Sequence, residues 1–306
     1  MFRKLMISIF ILTSSQGFAT FGDVEDILRN PIFLEEVADY LVGDRWTKGP
    51  VEEVFFQANP SLEKLKAVSR IHSATSFYLG KKAGRHVYAT NYHVCESKSI
   101  CPPGTQITSP VINEPLILEQ FIGSWSEIDI ALFTVSMSHD QEVIMAKYAL
   151  NFDFSFEQKP GTRLATAGYG FVANPLSKLT VTSDMDCVLY SDEVRLMGDP
   201  DVFNESDYNA WSFAHGCDVS HGDSGSPILE YGSGKVVGIV WTGRVPKIAE
   251  VQNTSYLKRV LNTGDEEIIW HHLNYGVPAS KIKLVLEEST FDKDVQLLIN
   301  DLLAVD

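Results

Sequence analysis

The stretch that decides how this chain is read is HGDSGSPI, His221–Ile228. A serine, Ser224, stands between an acid and a glycine, with a second glycine two residues earlier and a proline and an apolar run after it. Glycine removes side-chain bulk and opens backbone conformations closed to other residues, so Gly222 and Gly225 let a ligand approach the main chain around Ser224. That is how a nucleophile is presented. A serine hydroxyl is a poor nucleophile until a base takes its proton, so the stretch calls for a histidine and an acid elsewhere in the chain.

Upstream, ATNYHVC sets His93 at the end of an apolar run, and SEIDIALFTV sets Asp129 at the head of another. Taken singly, each residue has a structural explanation: a satisfied histidine, a strand-end acid, a turn serine. Taken together and in this order, TNYHV, DIALF and GDSGSP resemble the three signatures of the chymotrypsin-fold serine proteases. The likeness runs from roughly residue 74 to 287 and is to the bacterial branch of glutamyl endopeptidases and HtrA-type proteases, which GIVWTG and NYGVPASKI also resemble. It implies two six-stranded antiparallel β-barrels, polypeptide substrates and no cofactor. Ser224 becomes the nucleophile, His93 the general base and then acid, and Asp129 the acceptor that holds the imidazole. The backbone N–H groups of Gly222 and Ser224 become the oxyanion hole.

The same resemblance sets Asp218, six residues before Ser224, with Val219 at the base of the specificity pocket. A buried carboxylate there would attract arginine or lysine, although the neighbouring Cys217 could turn it aside through a disulfide. Trp241, Thr242 and Gly243 are the expected docking strand for substrate. Val240 occupies the position where glutamyl endopeptidases carry histidine, so glutamyl specificity is not expected. Asp223 departs from the branch, which has asparagine before the serine, and agrees with enzymes in which that acid pairs with a newly freed amino terminus. Residues 20–70 then read either as a pro-segment cleaved after Arg45 or Lys48, or as a permanent helical cap.

Rival readings fit less well. An α/β-hydrolase elbow, GxSxG, needs glycine where Ser226 stands and a triad in the order serine, acid, histidine. A catalytically silent binder on the same fold needs a damaged triad, and none is visible. An HtrA-type chaperone-protease carries a PDZ domain after the barrels, whereas about twenty residues follow here. The remaining histidines lack metal-ligand spacing such as HExxH, and no metal is expected.

Composition agrees with a globular enzyme: 306 residues, 44% apolar and 21% charged. MFRK, LMISIFIL and TSSQGFAT follow the order of a secretory leader ending at Ala19, too short in its apolar part to span a bilayer. A secreted or periplasmic chain without membrane insertion after leader removal is the expectation. Loss of Arg3 and Lys4 with the leader takes the net charge from −15 to −17, which argues against nucleic acid as a partner. Export makes Cys95, Cys101, Cys187 and Cys217 candidates for disulfides. Of three connectivities, sequence proximity favours Cys95 with Cys101 and Cys187 with Cys217, and the absence of CxxC spacing disfavours zinc.

Short β-branched and aromatic runs from about residue 74, separated by Gly, Pro, Asn and Asp, read as an all-β protease domain over 71–290 with a break near 150–160. DVEDILRN, IFLEEVADYLVG and PSLEKLKAVSRI before it read as helical. After it, Ile282, Val285 and Leu286, then Val295, Leu298 and Leu302, recur at helical spacing, with a last helix in 291–306.

Overall fold

The computed structural model describes residues 37–304, apart from 52, 173, 175–176 and 202–206. The expected leader over 1–19 and the helical reading of 23–30 lie outside the described residues, as do residues 32–36 of the helical reading over 32–43.

Antiparallel strands dominate. After a two-residue strand β1 (Gly49–Pro50), a closed barrel is made by β2 (Val68–Ile71), β3 (Ala74–Lys82), β4 (Arg85–Thr90), β5 (Gln106–Thr108), β6 (Leu116–Trp125) and β7 (Ile130–Ser136). Its order is β2-β3-β4-β7-β6-β5. Closing so small a barrel needs strong local bending, and register shifts between Tyr78 and Gly80 and at two points along β6 supply it. Strand β7 is buried from Ile130 to Val135, which is why IALFTV runs apolar without alternation.

The second unit comprises β8 (Leu164–Gly168), β9 (Thr180–Thr182), β10 (Arg195–Gly198), β11 (Asn209–His215), β12 (Pro227–Glu230), β13 (Val236–Gly243) and β14 (Asn274–Pro278). With β1 they form an antiparallel sheet in the order β1-β9-β8-β12-β13-β14-β11-β10. The molecule is therefore all-β in its framework, consistent with a chymotrypsin-like fold: the first expected six-stranded barrel is closed, while in place of the second stands an eight-stranded antiparallel sheet with β1 and β10 at its two edges.

Helices are peripheral: α1 (Glu53–Ala58), α2 (His139–Met145), α3 (Thr254–Thr263), α4 (Glu266–His272), α5 (Ala279–Glu288) and α6 (Lys293–Leu303). The last two bury Ile282, Val285 and Leu286, and Val295, Leu298 and Leu302, the residues whose spacing predicts them. Strand β3 meets α6 at its tip, where the Ala83 N–H donates to Asp301 Oδ2 at 2.6 Å. The helical reading of PSLEKLKAVSRI holds only for Pro60–Ala67, a 3₁₀ run. Val68–Ile71 is strand instead, because the barrel closes through its pairing with both β3 and β5, and tertiary pairing overrides local spacing.

Two disulfides are present, Cys95–Cys101 and Cys187–Cys217, the pairing that proximity favours. Residues 37–50 are laced onto the second unit. The Gly43 N–H donates to Val251 O at 2.8 Å, the Lys247 N–H to Asp39 O at 2.9 Å, and β1 pairs with β9.

Candidate active site

The barrel supplies a histidine and an acid, and the second unit supplies a serine. His93 lies three residues beyond β4, Asp129 caps a 3₁₀ turn (Ser126–Ile128) immediately before β7, and Ser224 sits in the loop before β12. Asp129 adopts the left-handed conformation, with φ 35° and ψ 48°, which the short polar side chain of aspartate tolerates. Asn91 Nδ2 donates to its carbonyl at 2.8 Å and fixes the corner.

That corner turns a fully buried carboxylate toward His93. Asp129 Oδ1 accepts the His93 backbone N–H at 3.1 Å, and Nδ1 of the ring lies 3.2 Å from Oδ1 and 3.0 Å from Oδ2. An ionised carboxylate only accepts, so Nδ1 carries the hydrogen and Nε2 is left with its lone pair. Burial works against protonation of His93. The Asp129 charge and hydrogen bond, with the Asp199 charge further off, outweigh it and hold the imidazole above its ordinary value.

A third contact to this pair was not legible in the sequence. Tyr208 Oη donates to Asp129 Oδ1 at 3.0 Å and stands 3.2 Å from His93 Nδ1. Burial and the Asp129 charge keep the phenol protonated well above its usual range. Tyr208 lies beyond β10, close before β11, and its ring packs against Tyr92 and Trp241.

Around Ser224 the glycines are demanded by space. Gly222 has φ 95°, and Gly225 has φ 86° with a Cβ position only 2.1 Å from Thr75 O. Three bonds pin the turn: the Phe171 N–H to His221 O at 2.9 Å, the Thr75 N–H to Ser224 O at 2.9 Å, and Thr75 Oγ1 to Gly222 O at 2.8 Å. With the His221 carbonyl committed to Phe171, the Gly222 N–H of the same trans peptide points the opposite way. Among the described residues, neither the Gly222 nor the Ser224 N–H has a protein acceptor. Unpaired backbone donors are what an oxyanion needs. Ser224 shares its cleft with His93, and no hydrogen bond joins them among the described residues. Such bonds tighten when substrate arrives.

Val219, Trp241, Thr242 and Gly243 line the cleft with Ser224 and His93. Asp218 does not. Its carboxylate is buried behind the wall, where Oδ1 accepts the Val42 N–H at 3.0 Å and Oδ2 the Thr47 N–H at 3.2 Å. The expectation of Asp218 at the pocket base is thus corrected: the peptide segment at 42–47 occupies the carboxylate that a substrate cation would have met. Burial pushes this carboxyl up to about 8, against the pull of the two N–H groups, and burial brings the neighbouring Lys247 ammonium down to about 7. The acids that do line the cleft are Asp199 and Asp201. Asp199 Oδ1 accepts from Thr242 Oγ1 and, at 3.0 Å, from the Asp201 N–H, while Asp201 Oδ2 lies 2.6 Å from His221 Nε2. Tyr40 closes one side of the cleft, with its hydroxyl 3.3 Å from His221 Nδ1. His72, Cys95 and Cys101 bring metal-type atoms together, but both sulfurs are committed to the disulfide.

No protein-family model matches the chain, and no curated protein matches it. Among solved structures it is similar to Rv3671c from M. tuberculosis H37Rv in an inactive form, at 16% identity and a TM-score of 0.48, over 81% of this chain and 96% of that one. A second structure described as the Rv3671c protease, inactive form, gives 17% and 0.49 over 78% and 97%. The active form gives 15% and 0.47 over 80% and 90%. Identities of this size leave the chemistry to the site itself.

Proposed function

We propose that the chain is a serine endopeptidase that hydrolyses peptide bonds through an acyl-enzyme. The observation that carries the reading is a buried carboxylate fixed on Nδ1 of a histidine that shares one cleft with a glycine-flanked serine. In the proposed reaction Ser224 Oγ attacks the scissile carbonyl carbon as its proton passes to His93 Nε2. The carbonyl oxygen becomes an oxyanion held by the Gly222 and Ser224 N–H groups. The C–N bond then breaks, His93 returns the proton to the leaving amine, and water repeats the sequence to release the acid. The TNYHV and GSP motifs favour the bacterial branch of the class.

For specificity, the cleft favours a basic side chain. Its described lining carries the Asp199 and Asp201 carboxylates and no lysine or arginine, and a carboxylate-lined, partly desolvated pocket attracts a cation and repels glutamate. Two disulfides fit an oxidising compartment, in line with export, and no described helix is long and apolar enough to cross a membrane.

The test is digestion of a mixed peptide library by the protein and by Ser224→Ala, with cleavage sites read by mass spectrometry. Cleavage after Arg or Lys, absent in the variant, supports the whole reading. Cleavage elsewhere keeps the enzyme and removes the pocket assignment, and identical digestion by both proteins removes Ser224 as nucleophile.

A further inference from the structure

We propose that Lys48 is a built-in activator: its ammonium holds Asp223, and through it the nucleophile turn, in working geometry without any cleavage that frees an amino terminus. The proposal rests on the serine-protease reading above.

Asp223 is peptide-bonded to Ser224, and its carboxylate is almost wholly enclosed. Oδ1 accepts the Gly170 N–H at 3.0 Å, and Oδ2 accepts the Ser220 N–H at 2.8 Å and Ser220 Oγ at 3.3 Å. One carboxylate therefore joins the nucleophile to a residue of the cleft wall and to the residue before Phe171, whose N–H fixes the His221 carbonyl and so the direction of the Gly222 N–H. The cradle has no slack, because a Cβ on Gly170 would lie 2.2 Å from Asp223 Oδ2. A carboxylate in such a place needs a cation, since burying an unpaired charge is strongly unfavourable.

The sequence pattern leads one to expect that cation to be a new amino terminus. The structure provides Lys48 instead: its Nζ is paired with Asp223 Oδ2, and the two side chains are 2% and 1% exposed. Among the described residues it is the salt-bridge partner of Asp223. The chain brings Lys48 there between two anchors, the Thr47 N–H on Asp218 and the pairing of Gly49 with Val181. A side chain so enclosed is also inaccessible to a processing protease, which argues against activation by cleavage after Lys48. The role is positional: Lys48 touches neither substrate nor reacting atoms, and acts through Asp223.

The test compares the full chain with Lys48→Met, with the charge-neutral double variant Lys48→Met/Asp223→Asn, and with Lys48→Cys. The cysteine variant is treated with 2-bromoethylamine in denaturant, its disulfides left intact, and refolded, which restores an ammonium at nearly the lysine length. The readouts are kcat and KM on a cleaved peptide, thermal unfolding, and phosphonylation of Ser224 by a fluorophosphonate, with the mass of the labelled protein. Wild type is expected to react while still carrying residues 37–48. Lys48→Met and the double variant should lose kcat on the order of a hundredfold, and aminoethylated Lys48→Cys should recover to within about tenfold of wild type. If Lys48→Met does not fold, the double variant, which leaves no unpaired charge, carries the same prediction. Folded variants that keep wild-type kcat, no gain on aminoethylation, or a wild type that reacts only after cleavage beyond Lys48 would each overturn the proposal. A wild type inert to both peptide and fluorophosphonate would instead overturn the protease reading on which it rests.

Discussion

At the scale of single residues, the site turns on how Asp129 is held. Its left-handed corner and the Asn91 bond aim a buried carboxylate at His93 Nδ1, and the lone pair left at Nε2 is what the proposed reaction uses as base. Asp129→Asn keeps the shape and permits the wrong tautomer, so kcat should fall by on the order of 10⁴ with little change in KM. The pH profile carries the same logic. The reaction needs neutral His93, and a pKa raised by Asp129 places the acid limb of kcat/KM above the ~6.5 of an ordinary histidine. Activity should be lost as pH falls through that raised value, and a rate flat across the limb would remove His93 as base. Tyr208→Phe deletes a donor to Asp129, and the expected cost is about tenfold in kcat with unfolding temperature nearly unchanged, checked by steady-state kinetics beside calorimetry. His93, Asp129 and Ser224, which the structure brings to one cleft and its wall, could be singled out from the sequence because each sits in a short local motif. Tyr208 was not, since it reaches Asp129 across 79 positions and no local spacing announces such a contact.

At the scale of elements, the segment 37–50 is the part whose role the chain order conceals. Asp218 counts correctly to a pocket base, yet its carboxylate binds the Val42 and Thr47 N–H groups, partners 176 and 171 residues away. Asp218→Asn leaves one of those two N–H groups facing an amide donor. It should destabilise the protein by about 2 kcal/mol, raise hydrogen exchange over residues 42–49, and leave the preferred cleavage residue unaltered. A switch in cleavage preference would restore Asp218 to the pocket. Strand and helix identities were unevenly legible for a physical reason. IALFTV and VVGIVWTG announce buried strands by composition, whereas α3, with its Asn253 cap accepting from the Tyr256 N–H and Gly264 at its end, lies inside the stretch read as all-β and is a finding of the structure. PSLEKLKAVSRI misleads, because its apolar spacing fits a helix while barrel closure claims its last four residues as β2.

At the scale of the whole molecule, the proposed reaction requires the two β-units to meet, since one holds His93 and Asp129 and the other holds Ser224 and the N–H groups proposed as oxyanion donors. The Cys187–Cys217 disulfide ties the strand region before β10 to the loop leading into the nucleophile, closing 30 positions of chain. Replacing both cysteines by alanine should cost about 3–4 kcal/mol, read by denaturant unfolding. The central claim is that the assembled cleft makes Ser224 a nucleophile. It is tested most directly by incubating the intact protein with a fluorophosphonate and mapping the adduct by peptide mass spectrometry, beside His93→Ala and Ser224→Ala. The predicted result is one phosphonyl group on Ser224, formed far more slowly in His93→Ala and not at all in Ser224→Ala; a protein that stays unmodified, or is modified at another residue, would contradict it.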